Sequence, residues 1–307
     1  MANENKWILG LLGNKINGID EGGPMSIVLD EGYAEIYRSP GDGNQVAVVE
    51  RNAQYVRGVV VTQDWLTVLS LLTGTLGTYV YYVRNSGVAA ATGYTKHTLT
   101  NPVIYAVSIK QSQGSNITVT FSFECRFATA AATISTVHAV LIGQALPAQI
   151  DPERNGWRVL STVHGVNPAI NLFHVTAFDF GMALPLARAS NDAWKGHGAV
   201  DVDLEGGLSP KGSISAQDFD AATAAEKKSQ LLLAARGPLI ITLTSEGGAA
   251  NKVVTIAGVV FIEGSSNFSS DRTKYADWTL NYEVSNDLAL PLTLAGDNNI
   301  ITIEDAE

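Results

Sequence analysis

The stretch Ile117-Thr118-Val119-Thr120-Phe121-Ser122-Phe123-Glu124-Cys125-Arg126-Phe127 decides the fold class. Ile117, Val119, Phe121, Phe123, Cys125 and Phe127 fall on one face; Thr118, Thr120, Ser122, Glu124 and Arg126 fall on the other. A period of two sustained over that length is a β-strand with one buried and one wet face. Cys125 then points inward, where a free thiol behaves as a small apolar group.

The pattern returns near the other end, where Trp278, Leu280, Tyr282 and Val284 alternate with Thr279, Asn281, Glu283 and Ser285. Glu283 lies 159 residues after Glu124, and at that shift Thr279 meets Thr120 and Asn281 meets Ser122. A second anchor is Gly58, Gln63, Asp64 and Trp65, which recur as Gly212, Gln217, Asp218 and Phe219 at a shift of 154. Both copies run on into a helix-like segment, 65–72 and 219–235, and then into a glycine and an apolar strand. Asp64 and Asp218 could each be half of an acid pair. Helix capping explains their type, position and recurrence together, with Trp65 and Phe219 anchoring the helices. The residues therefore predict a mainly β protein of two tandem β-sandwich domains, each with one flanking α-helix, plus terminal arms. The boundaries are 1–142 for the first domain with its N-terminal arm, 143–156 for a Pro/Gly-rich linker, 157–290 for the second domain and 291–307 for an acidic C-terminal arm. Residues 1–25 and 288–307 lie outside the repeat.

Composition narrows the function. The chain has 307 residues, 46% hydrophobic and only 16% charged, against a usual quarter or so. Twenty basic residues face 30 acidic ones, a net charge of −10 that argues against gripping nucleic acid but suits a surface along which DNA slides. A single cysteine excludes an internal disulfide and Cys-rich metal clusters. The apolar run 7–13 is too short for a membrane span and lacks a cleavage site, so synthesis in the cytoplasm without export is expected.

Chemistry finds little purchase. His97, His138, His164, His174 and His197 have no metal-ligand spacing, and no nucleophile elbow, Walker loop or dinucleotide fingerprint is present. Asp201-Val-Asp203-Leu-Glu205 reads as a strand with an acidic wet face and lacks the ligand order of a Ca²⁺ loop. No enzyme, metal or cofactor is expected.

This duplicated sandwich, acidic and poor in charge, resembles the tail tube protein of long-tailed (siphophage-type) bacteriophages in the form with a duplicated tube domain. The resemblance covers residues 26–286 and rests on element order and repeat. It implies a virion structural protein, the major tail tube subunit, assembled in the host cytoplasm. Three chains would give a pseudo-hexameric ring, and stacked rings a conduit for DNA ejection. Implied partners are further copies of the chain, the tape measure protein, tail-end proteins and double-stranded DNA in passage. Glu124, Glu283, Thr120, Ser122, Thr279 and Asn281 would line the lumen. The hairpins 84–97, 245–252, 38–44 and 189–198 would bridge neighbouring rings. Alternatives are another tail component of the same fold family (distal tail, hub or terminator protein) and a two-domain β-sandwich binding module.

Overall fold

The computed structural model describes residues 7–16, 19–21, 24–40, 46–63, 78–85, 93–127, 129, 132–145, 156–165, 170–183, 186–189, 201–204, 210–218, 236–245, 251–267, 276–284 and 301–305. These are almost entirely β-strands. The first half holds β1 (Trp7–Ile16), β2 (Ile19–Glu21), β3 (Pro24–Pro40), β4 (Val46–Thr62), β5 (Thr78–Asn85), β6 (Tyr94–Thr100), β7 (Pro102–Ser112) and β8 (Thr118–Cys125). A short helix, α1 (Ile134–Val137), leads into β9 (His138–Gln144). The second half holds β10 (Arg158–His164), β11 (Ile170–Phe173), β12 (Val175–Ala183), β13 (Leu186–Ala189), β14 (Asp201–Leu204), β15 (Lys211–Asp218), β16 (Arg236–Thr244), β17 (Asn251–Asn267), β18 (Ala276–Val284) and β19 (Ile301–Asp305).

The alternation quoted above builds the core. Val119, Phe121, Phe123 and Cys125 of β8 are all buried, and so are Leu280, Tyr282 and Val284 of β18. Opposite β8 stands the five-stranded sheet β2-β1-β5-β6-β9. Its Tyr79 meets Phe121 edge to face at 6.0 Å, one of the favoured geometries for paired rings. One apolar cluster then runs through both halves, from Val56 to Val284.

The pairing order of the first half recurs in the second. Along the large sheet the order β3-β4-β8-β7 is followed by β12-β15-β18-β17, and the junction is the antiparallel pair β7·β12. The five-stranded sheet β2-β1-β5-β6-β9 has its counterpart in β11-β10-β16-β17-β19. Register recurs as well: Gly58 pairs with Phe123 and Gly212 with Tyr282. In the first half one residue, Asn101, separates β6 from β7; in the second, β17 runs unbroken through Gly258. The two residues are 157 apart, and both hold positive φ, 52° and 68°. A left-handed residue turns the strand sharply out of one sheet and into the other, a conformation Gly and Asn tolerate best. Three residues further on in each half, the strand itself carries one residue more than its partner, Tyr105 between Ile104 and Ala106 and Ile262 between Phe261 and Glu263.

Some expectations resolve differently. The N-terminal segment is not a free arm, since β1 pairs with β5. Its apolar run makes a sheet strand where a solvated arm would need polar residues. The acidic C-terminal arm contains β19, which pairs with β17 from Ile301 opposite Ile256 to Asp305 opposite Lys252. Its Ile-Thr-Ile alternation is that of a strand. Asp201–Leu204 is indeed a strand, paired with β13. The helices predicted over 65–72 and 219–235, with Asp64, Trp65 and Phe219, lie outside the described residues, as do the tips of the four hairpins and most of the linker.

Candidate functional site

Residues directly opposite each other in a ladder project to the same face. Following the pairs outward from Thr120 gives Ser108, Gly181, Lys211 and Glu283 in one rung. The next rung is Thr118, Lys110, Asp179, Ser213, Asn281 and Glu263. Residues 159 apart in sequence, predicted to be equivalent, thus share one polar face of one continuous sheet.

That face is sparsely charged and mostly self-compensated. Lys110 meets Asp179 at 3.6 Å and Arg57 meets Asp30 at 2.7 Å. Asn281 donates from Nδ2 to Glu263 Oε2 at 2.9 Å, and the hydroxyls of Ser215 and Thr279 share a hydrogen bond at 2.8 Å. Thr120, Ser122, Thr279 and Asn281 are half-buried, and Glu283 is exposed. Glu124 is only 4% exposed. It sits across from Arg57 on β4, whose guanidinium is held above its ordinary pKa chiefly by Asp30, with Glu124 adding attraction. Sequence alternation assigned Glu124 to the polar face but carried no sign of the side chains that cover it there.

The repeat glycines have a packing reason. A Cβ on Gly58 would stand 2.9 Å from the ring of Phe123 and 2.7 Å from the Val28 carbonyl oxygen. A Cβ on Gly212 would stand 2.6 Å from the Tyr282 hydroxyl and 2.0 Å from the Asp179 carbonyl oxygen. Tyr282 donates that hydroxyl to the same Asp179 carbonyl at 3.1 Å. Gln63 and Gln217 are half-buried near the ends of β4 and β15; the Gln217 backbone N–H donates to the His174 carbonyl. Asp218 closes β15 opposite Ala276.

Sequence reasoning missed a second constellation. His97 on β6 stacks on Tyr81 of β5, centroids 4.6 Å apart and planes at 5°, and on His138 of β9 at 5.2 Å. His97 Nδ1 and His138 Nε2 share a proton at 2.9 Å, and His138 donates from Nδ1 to Glu31 of β3. The chain opens into a pocket of about 490 Å³ lined by Glu31, Tyr33, Gln54, Ser135 and His138. Burial, with the adjacent His138, pushes His97 down to about 4. These groups run in line instead of converging, and no group of three or more His, Cys, Asp or Glu among the described residues is placed to hold a metal ion. Separations of 41 and 107 residues left no local motif to read.

No family model and no curated protein matches this chain.

Proposed function

We propose that the chain is a virion structural protein, the subunit of a phage tail tube, built from a duplicated β-sandwich and polymerising into stacked rings that conduct DNA. One observation carries this reading. The run β3-β4-β8-β7 is joined to its counterpart β12-β15-β18-β17 by strand pairing, with a matched edge left at each end. Among the described residues β3 pairs only with β4, and over 261–267 β17 pairs only with β18. Since β12 corresponds to β3 and β17 to β7, the in-chain joint β7·β12 is a template for a joint between β17 of one copy and β3 of the next. Transposing its register sets Leu29 opposite Ser266, Asp30 opposite Ser265 and Glu31 opposite Gly264.

Such edges are aggregation-prone unless paired, and a closed ring removes them. Three chains supply six units, a closed assembly in which the covalent and the intermolecular joints are alike. The polar face of the large sheet then lines the bore. Thr120, Ser122, Thr279 and Asn281 give a neutral wall and Glu283, Glu263 and Asp277 exposed carboxylates. Lys110 and Arg57 on this face are paired with Asp179 and Asp30 and Lys211 lies opposite Glu283, so passing phosphates gain little from counterion release and DNA does not stick. No catalytic step is assigned. Electron microscopy of the concentrated protein tests the reading. Tubes of stacked rings with three chains each support it, and a monomer that persists at millimolar concentration overturns it.

A further inference from the structure

The repeated register also says which residues of the two halves occupy the same place. Tyr79 opposite Leu99 matches Leu239 opposite Ile256, which sets Tyr81 with Ile241 and His97 with Val254. Leu99 opposite His138 matches Ile256 opposite Ile301, which sets His138 with Ile301. Leu29 opposite Gly58 matches Phe180 opposite Gly212, which sets Glu31 with Met182. Four titratable side chains in the first half therefore stand where the second has four apolar ones.

The contrast falls on the joints. Met182 is buried and faces Val107 across the permanent in-chain joint β7·β12. Glu31 stands on β3, the edge that the ring reading assigns to the joint between copies, and has 30% of its side chain exposed. Burying polar groups behind a joint weakens it unless a purpose is served, because each needs a partner in every state.

We propose that the Glu31–His138–His97 chain is a proton-operated latch that holds β3 in place for a neighbouring copy and releases it as pH falls. The proposal rests on the ring reading above. At neutral pH Glu31 is a carboxylate that accepts the His138 Nδ1 proton and fastens β3 to β9. Acid charges His97 against the stacked ring of His138 and, once the carboxylate is protonated, removes the charge that holds His138 to β3; the two together release the tie. The other groups facing the chain are Tyr33 on β3, Tyr81 on β5 and Cys125 on β8; burial raises Tyr81 and Cys125, keeping both neutral throughout. Gln54 of β4 and Thr133 and Ser135 at the start of α1, all uncharged, complete the lining around Glu31 and His138.

The test compares the full chain with two variants, Glu31→Gln and the transplant Glu31→Met/His97→Val/His138→Ile, by sedimentation at pH 7.5 and 4.5. Each proton taken up on release weakens assembly by about tenfold per pH unit. The critical concentration of the unaltered chain is expected to rise at least about tenfold at the lower pH, and that of the variants less than about threefold. Equal pH dependence in the chain and a folded variant overturns the latch while leaving the ring intact. Failure of the unaltered chain to assemble at pH 7.5 overturns the ring reading, and the latch with it. Glu31→Gln keeps the size and the acceptor oxygen of the native side chain, so the comparison stands even where the transplant does not fold.

Discussion

Gly212 lies directly opposite Tyr282, whose phenol oxygen leaves no room for a side chain at position 212. The pair repeats Gly58 and Phe123, where the aromatic ring again lies over the glycine. Gly58→Ala should therefore cost about 1–3 kcal/mol through overpacking. Gly212→Ala should cost more, because its closest obstacle is the rigid Asp179 backbone at 2.0 Å. Urea midpoints of the two variants test the order.

Asn101 and Gly258 mark the corner of each half, and their backbone conformations make a second test. Gly258→Asn should be tolerated, since the first half already uses Asn there with φ 52°. Gly258→Val should cost about 2 kcal/mol or more, because β-branched residues are outliers at positive φ. Thermal melts that rank the two the other way would contradict the corner assignment.

Much of this was legible in the sequence, and the unread parts have physical causes. β8 and β18 were readable because each has one buried and one solvated face, and their glycine partners because an aromatic ring lies above each. β1 and β10 were not recognised as counterparts. They share no side-chain pattern, and their turns into β2 and β11 differ in length, so the register drifts. Neither could the Tyr81–His97–His138–Glu31 chain be found, since only long-range pairing of β3, β5, β6 and β9 assembles it.

Glu124 and Glu283 were read as equals, yet one is covered and the other exposed. Glu124→Lys should destabilise the fold by about 3–5 kcal/mol, by leaving an unpaired buried charge next to Arg57. Glu283→Lys should change stability by no more than about 0.5 kcal/mol. In assembled particles the second variant should slow DNA ejection at unchanged tube length. Chemical denaturation and an ejection assay read the two effects separately.

Acid should weaken the fold even in the unassembled chain. His164 is fully buried and donates from Nε2 to the Val259 carbonyl at 3.0 Å. Burial pushes its pKa below the ordinary value, as it does for His97. As pH falls, the unfolded chain takes up these protons first, near 6.5. Stability is therefore whole above that value and lost as pH drops toward the folded values, about 4 for His97. The urea midpoint should fall between pH 7 and 5, and the His97 ring resonances should titrate near 4.

In the proposed ring, neighbouring copies join as β7 joins β12. Asp30→Cys with Ser265→Cys places one thiol on each open edge, opposite each other in the transposed register and within the few ångströms a disulfide spans. The native Cys125 is buried and does not interfere. Oxidation of assembled protein should convert the chains into a covalently closed trimer on non-reducing gels, with each single-cysteine variant staying monomeric. Pairs that remain uncrosslinked in an assembled sample, or ladders that run past three chains, would contradict the joint.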